Sequence, residues 1–230
     1  STGEFVDTGD GVDAALFARC DLTLKGEGSL TVISESGHGV VTKDDLKVKG
    51  GALTITAAAQ GLTGKDSVTV EDGTLVIRAG TDGLKSTNTE DADRGTIELL
   101  GGSVSIEAGD DGVSAASSLA VYGGALRVMS SGKGLKAVSS ISVTDGELNV
   151  DAEDDAIHSD GAIALSGGSL TLKSGDDGMH ADMALSVSGG RIVITESSEG
   201  MEAQTIEIAG GEVSVTARDD GLNASSGSVS

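Results

Sequence analysis

Aspartates occur in adjacent pairs directly before a glycine or alanine at four places, and such pairs have the chemistry of calcium ligands. The pairs are Asp110-Asp111, Asp154-Asp155, Asp176-Asp177 and Asp219-Asp220. Ca²⁺ is a hard ion that takes about six to eight oxygens from carboxylates, backbone carbonyls and water. Two aspartates at a tight turn offer two carboxylates and exposed carbonyls. The pairs therefore predict sites for Ca²⁺.

The small residue after each pair belongs to a repeat of about 22 residues, with one longer step between residues 83 and 112. The members of this series are Gly39, Gly61, Gly83, Gly112, Gly134, Gly178, Gly200 and Gly221, with Ala156 in one place. Repeats of this length are typical of solenoids, in which each copy stacks on the next. Stacking places equivalent carboxylates about 5 Å apart, and their repulsion of about a kcal/mol favours a bound cation.

Three groups of acidic residues are candidate metal ligands in such a stack. The first group contains Asp154, Asp155, Asp176 and Asp177, with Asp160 and Asp182 as further candidates. The second contains Asp82, Asp110 and Asp111, and the third contains Glu199, Asp219 and Asp220. The alternative is that these are plain turn residues, because Asp tolerates turns and bonds its own backbone. The doubled Asp favours metal binding, since a turn needs only one.

Basic side chains accompany the aspartates. His158 and His180 are one repeat apart and could suggest zinc, but their neighbours are carboxylates and Cys20, the single cysteine, is distant in sequence. We interpret both histidines as solvated, outward-facing residues. A lysine of lowered pKa near calcium could take the C5 proton of a uronic acid, as a lyase requires. The candidates for that base are Lys85, Lys133 and Lys136, although we favour the interpretation that these lysines balance the charge of the acidic corner.

Three short extended segments in each repeat must position these residues. In one copy they carry Leu170/Leu172, Met179/Ala181 and Leu185/Val187, with polar residues between the apolar ones. Alternation with a period of two predicts strands that have one buried face. The sequence therefore predicts an all-β fold: a parallel β-helix of about ten rungs with three strands per rung. Because parallel crossovers are overwhelmingly right-handed, we expect that hand.

The repeat runs through almost the whole chain, so residues 1–230 are expected to form a single domain. Residues 1–28 are expected to form an N-terminal cap and first rung, with a short capping helix in the run DAALFAR at residues 13–19. Residues 87–94 hold an insertion, expected to be a polar loop. The last repeat stops at Ser230, before the Gly-Gly turn of earlier copies, and we expect a truncated rung cut from a longer parent chain with other domains.

The charge and the composition of the chain exclude several classes of binding partner. The net charge is −22, so nucleic acid and anionic membrane surfaces would be repelled while cations would be attracted. No apolar stretch approaches the roughly 20 residues that span a bilayer, so membrane insertion is not expected. Only one Tyr and two Phe occur, with no Trp, and this leaves few rings for stacking on sugars.

The repeat as a whole resembles a family of bacterial surface proteins. The pattern GG-x-L-x-I-x-(A/S)-x-D-D-G-(I/L/V)-x-A, followed by L-x-V-x-G-G, is similar to that of the carbohydrate-binding β-helix family, which is related in shape to pectate lyases. The clearest copies lie at residues 108–115 and 174–181. The resemblance implies binding of cellulose or polygalacturonate, and it implies that the Asp pairs act as Ca²⁺ ligands. His38, Gln60 and Lys133 depart from the pattern, since each stands where other copies have Asp.

Three functions follow as hypotheses. We favour an extracellular or cell-surface, calcium-binding module for an acidic plant or cell-wall polysaccharide, because scarce aromatics make crystalline cellulose a poor target. The first alternative is a structural stalk or adhesin rod on the cell surface. The second is a calcium-dependent, pectate-type lyase, in which the lysines named above would be catalytic.

Overall fold

The computed structural model describes residues 13–91 and 93–229 as a rod of parallel strands. Three parallel sheets run along it, and we name them sheets 1, 2 and 3. Sheet 1 contains β3 (Ser29–Ser34), β10 (Ser103–Ala108), β13 (Ala125–Ser130), β16 (Glu147–Ala152), β19 (Ser169–Ser174), β21 (Arg191–Glu196), β23 (Glu212–Val215) and the second halves of β5 (Asp45–Ala57) and β7 (Ser67–Ala79).

The other two sheets contain the remaining strands. Sheet 2 contains β1 (Ala14–Ala18), β4 (His38–Thr42), β6 (Leu62–Gly64), β8 (Leu84–Ser86), β11 (Val113–Ala115), β14 (Leu135–Ala137), β17 (Ile157–Ser159) and the first halves of β20 (Met179–Val187), β22 (Met201–Ile208) and β24 (Leu222–Val229). Sheet 3 contains β2 (Leu22–Leu24), β9 (Thr96–Leu99), β12 (Ser118–Val121), β15 (Ser140–Val143), β18 (Ala162–Leu165), the first halves of β5 and β7, and the second halves of β20, β22 and β24.

The register between rungs equals the sequence repeat. Leu126 pairs with Leu148, and Leu148 pairs with Leu170, so each step along sheet 1 is one repeat. The same shift joins Leu135 to Ile157 in sheet 2. These pairings confirm the predicted parallel β-solenoid of about ten turns.

The core is a set of aliphatic ladders between the three sheets. In β10 the buried residues Val104 and Ile106 alternate with side chains that face outwards. Leu119 from sheet 3 and Leu135 from sheet 2 are buried against the same interior. Because each rung buries its apolar face mainly on its neighbours, stability accumulates by stacking, as in other solenoids.

The N-terminal prediction of a helix is wrong. Ala14–Ala18 forms strand β1, which pairs in parallel with β4 through Leu16 and Val40. The backbone N–H of His38 also donates to the carbonyl of Asp13 at 2.7 Å. The exposed edge of β4 offers a ready row of hydrogen-bond partners, and this tertiary template overrides the helical propensity of an alanine-rich run. Residues 1–12 of the predicted cap lie outside the described residues.

Close stacking at one turn of the rung requires glycine at most positions of the series. A Cβ built on Gly61 would lie 2.5 Å from Cγ2 of Ile77 and 2.6 Å from the carbonyl oxygen of Gly83. Real Cβ atoms do not approach backbone that closely, so a side chain here would push the rungs apart. The same turn leads from sheet 1 into sheet 2 and carries the aspartate pairs.

The insertion lies between β8 and β9. Its inner part is held by buried Asp66, whose carboxylate accepts a hydrogen bond from Nδ2 of Asn88 at 2.6 Å and pairs with Arg94. Oδ1 of Asn88 in turn accepts the backbone N–H of Glu90 at 2.9 Å. Within the described residues, no helix is long and apolar enough to cross a membrane.

Candidate functional site: the acidic corner and the outer groove

The turn from sheet 1 into sheet 2 forms a column that we call the acidic corner. Its corner positions, one per rung, are His38, Gln60, Asp82, Asp111, Lys133, Asp155, Asp177, Glu199 and Asp220. The two aspartates of a pair are not equivalent. Asp155 and Asp177 are buried, while Asp154 is half-buried and Asp176 is exposed. These two pairs, and the pair Asp110-Asp111, therefore each have one inner and one outer carboxylate.

The inner carboxylates tie one rung to the next. Oδ1 of Asp155 accepts the backbone N–H of Asp177 at 3.0 Å, and Oδ1 of Asp111 accepts that of Lys133 at 3.0 Å. Each bond satisfies a backbone donor in the turn, which would otherwise lack a partner where strand pairing is interrupted. Part of the aspartate pattern is thus explained by turn structure.

The second oxygen of each inner carboxylate faces a basic side chain. Oδ2 of Asp82 lies 2.7 Å from Nζ of Lys85, and Oδ2 of Asp155 lies 2.8 Å from Nδ1 of His158. Oδ2 of Asp111 lies farther, 3.5 Å, from Nζ of Lys136 on the next rung. These side chains supply part of the charge compensation that the stack requires.

Lys133 occupies the position between two aspartate pairs. Its Nζ donates to Oδ2 of Asp154 at 2.9 Å and to Oδ2 of Asp155 at 2.6 Å. Burial lowers the pKa of Lys133, but the hydrogen bonds to Asp155 and Asp154 outweigh it and leave the pKa above its usual value. Burial likewise raises the pKa of Asp155, yet hydrogen bonds from His158, Lys133 and the backbone of Asp177 lower it to about 2.

His158 and His180 are not the solvated residues that the sequence suggested. Their rings stack with centroids 5.0 Å apart, and their side chains are 15% and 25% exposed. Each ring is held at both nitrogens by carboxylates. Nδ1 of His180 lies 2.9 Å from Oδ2 of Asp177, and Nε2 lies 3.2 Å from Oδ1 of Asp182. Nε2 of His158 lies 3.0 Å from Oδ1 of Asp160.

Among the described residues, no lysine or arginine pairs with the buried carboxylate of Asp177, which faces His180. Burial raises the pKa of Asp177 to about 6; the hydrogen bond with His180 opposes this rise, and the charges of Asp155, Asp176 and Glu202 add to it. Burial lowers the pKa of His180, but its bond to Asp177 and the surrounding carboxylates raise it above the usual value. Asp177 and His180 therefore both hold protons more tightly than isolated groups do.

Three groups of side chains converge closely enough to share one metal ion. Their ligand atoms lie within 4.8 Å of one another among the described residues. The groups are Asp154, Asp155 and Asp176; Asp155, His158 and His180; and Asp177, His180 and Glu202. The first is all oxygen and fits Ca²⁺ by ligand type. The ammonium of Lys133 contacts two of its three carboxylates, so lysine and metal would compete there.

The other predicted ligands do not join a convergent group within the described residues. Oδ1 of buried Asp82 has no hydrogen-bond partner, which fits a cation in its vicinity. Burial and the charges of Asp111 and Asp82 raise the pKa of neighbouring Asp110. Asp219 and Asp220 are exposed, while Oε2 of Glu199 accepts a hydrogen bond from Asn223 at 2.8 Å.

A second feature is a groove of about 670 Å³ on the outer face of sheet 1, which we call the outer groove. One outward side chain from each of six successive strands lines it: Thr56, Arg78, Glu107, Met129, Asp151 and Lys173. The small residues Ala57, Ala79, Ala108 and Ser130 also line it. Because neighbouring strands are about 4.8 Å apart, the groove follows the rod axis for about 24 Å.

Opposite charges are paired along this groove. Nε of Arg78 lies 2.9 Å from Oε2 of Glu107, and Nζ of Lys173 lies 3.4 Å from Oδ1 of Asp151. Met129 is 44% exposed between the two pairs. A smaller recess beside the groove adds Arg127 and Asn149. Such a surface offers donors and acceptors in a regular row, which is suited to a ligand with many hydroxyl groups.

Comparison with known proteins places this chain in a family. The model of the family described as carbohydrate-binding domain-containing protein matches residues 1–178. The chain belongs to that family. No curated protein and no solved structure matches the chain significantly.

The region that matches the carbohydrate-binding domain-containing family contains the whole outer groove, from Thr56 to Lys173. It also contains the acidic corner as far as Asp177. His180, Asp182 and Glu202 lie beyond the matched residues. The segment that matches the family therefore contains the complete outer groove.

Sequence reasoning missed the groove residues. Arg78, Glu107, Asp151 and Lys173 lie at the same place in the repeat, two residues after the outward column that includes Arg127 and Asn149. Charges of both signs in one outward repeat column are a readable signal. In this member of the carbohydrate-binding domain-containing family, that signal marks the outer groove.

Proposed function

We propose that this protein binds a polysaccharide chain along the outer groove. The observation that carries the proposal is the row of outward side chains from Thr56 to Lys173 on six successive strands, within a segment that matches a carbohydrate-binding family. The sugar units of a linear polymer repeat along its length, as the rungs repeat along the rod. A chain parallel to the rod axis would therefore meet an equivalent polar position at every rung.

The contacts that would hold the sugar are polar. Arg78 and Lys173 can donate hydrogen bonds to ligand oxygens while they stay paired with Glu107 and Asp151. The carboxylates of Glu107 and Asp151 can in turn accept hydrogen bonds from sugar hydroxyls. Met129 offers an apolar patch in the middle, in place of an aromatic platform. Pre-formed ion pairs keep these side chains ordered, which lowers the entropic cost of binding.

An acidic polysaccharide is the ligand class that we favour. Uronic acid carboxylates can pair with Arg78, Lys173 and nearby Arg127, because guanidinium and ammonium groups bind carboxylates strongly. The protein's overall charge of −22 opposes such a ligand, and bound Ca²⁺ would reduce that repulsion. An extracellular or cell-surface location is part of the proposal, since plant and cell-wall polysaccharides lie outside cells.

Calcium binding at the acidic corner is the second part of the proposal. Asp154, Asp155 and Asp176 would hold the ion, and the unpartnered Oδ1 of Asp82 supports a further cation near Asp110 and Asp111. The ion would supply positive charge to the corner and link adjacent rungs. Asp160, Asp182, Glu199, Asp219 and Asp220 remain candidate ligands from the sequence.

Two other functions compete with this proposal. A stalk or adhesin rod would need only the stacked core, and the ordered ion pairs of the groove favour a binding role over it. A lyase would need an unprotonated lysine near calcium. The raised pKa of Lys133 keeps that side chain protonated, and Lys85 and Lys136 both face aspartates. We therefore propose a binding module and neither a stalk nor a lyase.

A matched pair of variants tests the proposal. Arg78 and Arg191 are both 55% exposed and both pair with a glutamate, but Arg191 is not among the groove residues. Affinity for polygalacturonate and for a neutral glucan is measured by isothermal titration calorimetry, with Ca²⁺ and with EGTA. We expect R78A to weaken binding about tenfold while R191A leaves it unchanged. Equal affinity of both variants and the wild type would overturn the groove assignment, and no binding to either sugar would favour the stalk.

A further inference from the structure

We propose that Asp177, His180 and Glu202 form a site for a borderline divalent cation of the Zn²⁺ type, distinct in chemistry from the all-oxygen calcium cluster. Nδ1 of His180 faces two carboxylates, Oδ2 of Asp177 at 2.9 Å and Oε2 of Glu202 at 3.5 Å. These atoms belong to one convergent group. Imidazole and carboxylate together are ligands of Zn²⁺ and its neighbours, whereas Ca²⁺ prefers oxygen alone.

The far side of the imidazole ring is arranged as in known metal-binding histidines. Nε2 of His180 lies 3.2 Å from Oδ1 of Asp182. A ligating histidine generally gives its other N–H to a carboxylate, which fixes the tautomer and makes the ligating nitrogen more basic. With Nε2 protonated towards Asp182, the lone pair lies on Nδ1, and Nδ1 is the atom that faces Asp177 and Glu202.

The preceding rung repeats this arrangement and can supply a fourth ligand. His158 stacks on His180 at 5.0 Å, and its Nε2 lies 3.0 Å from Oδ1 of Asp160. Asp155, His158 and His180 form a second convergent group that shares His180 with the first. A four-coordinate ion could therefore draw its ligands from two or three rungs.

The charge balance also distinguishes Asp177 from the other buried aspartates of the acidic corner. Lys85 pairs with Asp82, Lys136 with Asp111 and Lys133 with Asp155. Among residues 13–91 and 93–229, no lysine or arginine pairs with Asp177. The buried carboxylate of Asp177 thus faces only a histidine, whose positive charge depends on a proton that a metal ion could replace.

Zn²⁺ titration of the full chain after treatment with EDTA tests the inference. His38 is the only histidine in the sequence besides the stacked pair His158 and His180, so H38Q is the matched control for H180Q. We expect one Zn²⁺ site by calorimetry, at least tenfold weaker in H180Q and unchanged in H38Q. Asp182 is 57% exposed, so D182N should fold normally, and we expect it to weaken Zn²⁺ binding by about 10- to 100-fold.

Two further measurements separate this site from the proposed calcium cluster. Co²⁺ bound through His180 should show visible absorption bands of a nitrogen-ligated ion, and a large excess of Ca²⁺ should not remove them. Far-UV circular dichroism in EDTA confirms that each variant is folded. Equal Zn²⁺ affinity in the wild type and D182N, equal losses in H38Q and H180Q, or displacement of Co²⁺ by Ca²⁺ would each overturn the inference. Polysaccharide binding by H180Q is expected to be unchanged, so failure here leaves the groove proposal intact.

Discussion

The side chain of Asp155 accepts the backbone N–H of Asp177, one rung away, at 3.0 Å. The same carboxylate also contacts Lys133 and His158 through its other oxygen. One inner aspartate thus joins three successive rungs at the acidic corner. This arrangement makes the corner part of the fold as well as a candidate ligand site.

Substitution of Asp155 should destabilise the rod more than substitution of its neighbour. D155A leaves the N–H of Asp177 and the ammonium of Lys133 without their buried acceptor, at a cost of about 1–3 kcal/mol. Asp154 is 44% exposed, so D154A should cost much less. Chemical denaturation in EDTA measures both variants. Equal free energies of unfolding would show that the inner position has no special structural role.

Lys133 should limit calcium binding at the first predicted site. Its ammonium contacts Asp154 and Asp155, where the ion would sit. K133M removes the competing charge, and we expect about a tenfold or greater gain in Ca²⁺ affinity. Without Ca²⁺ the variant should melt at a lower temperature, since a buried carboxylate loses its partner. Calorimetric titration with Ca²⁺ gives the affinity, and an unchanged or weaker affinity would count against a calcium ion at this cluster.

The metal-free protein should lose stability between mildly acidic and alkaline pH. The pKa of Asp177 is raised from 3.8 to about 6, so its folded form binds the extra proton and stability falls as pH rises through this range. His180 also has a raised pKa, so its contribution is lost at still higher pH, above its usual 6.5. Asp155, with a pKa of about 2, acts oppositely and its contribution is lost only as pH falls from about 4 to 2.

Melting temperatures in EDTA from pH 3 to pH 9 measure this dependence. The double variant D177N/H180Q removes these two groups of raised pKa and should flatten the decline above pH 4. Replacement of His38, far from this rung, serves as the control. A wild-type melting temperature that rises steadily from pH 5 to pH 8 would contradict the charge assignment at Asp177.

Gly61 should tolerate no side chain, because its rung lies in close contact with the next one. A Cβ on Gly61 would lie within 2.6 Å of the carbonyl oxygen of Gly83, whereas a Cβ on Gly28 meets no atom within 4 Å. G61A should therefore cost about 1–3 kcal/mol by overpacking, while G28A should be close to neutral. Denaturant midpoints compare the two. A neutral G61A would mean that the rungs separate more easily than the stacked core suggests.

The repeat allowed the architecture to be predicted, because its apolar positions and its glycines have direct physical meanings. Leu126, Leu148 and Leu170 align in one ladder as their spacing requires. The first strand was mistaken for a helix, since DAALFAR has no strand pattern of its own and takes its conformation from β4. Local propensity could not reveal that template.

The candidate site was predicted less completely. The repeat predicted that Asp155 and Asp177 lie in one column. It did not predict that their side chains are buried, or that Asp155 accepts a hydrogen bond from the backbone N–H of Asp177. The sequence indicates Lys133 only as an interruption of the aspartate column, but its long side chain reaches the aspartate pair of the next rung. The outer groove was missed because its charges bind one another in pairs, so no single residue type marks it.

The most direct test of the account is to map a bound oligosaccharide on the protein by amide chemical shifts. A ¹⁵N-labelled chain is titrated with an oligogalacturonate in the presence of Ca²⁺. We expect the largest shifts in sheet 1, in the strands that carry Arg78, Glu107, Asp151 and Lys173. Shifts confined to sheet 3 or to the insertion near Asn88, with sheet 1 unaffected, would contradict it.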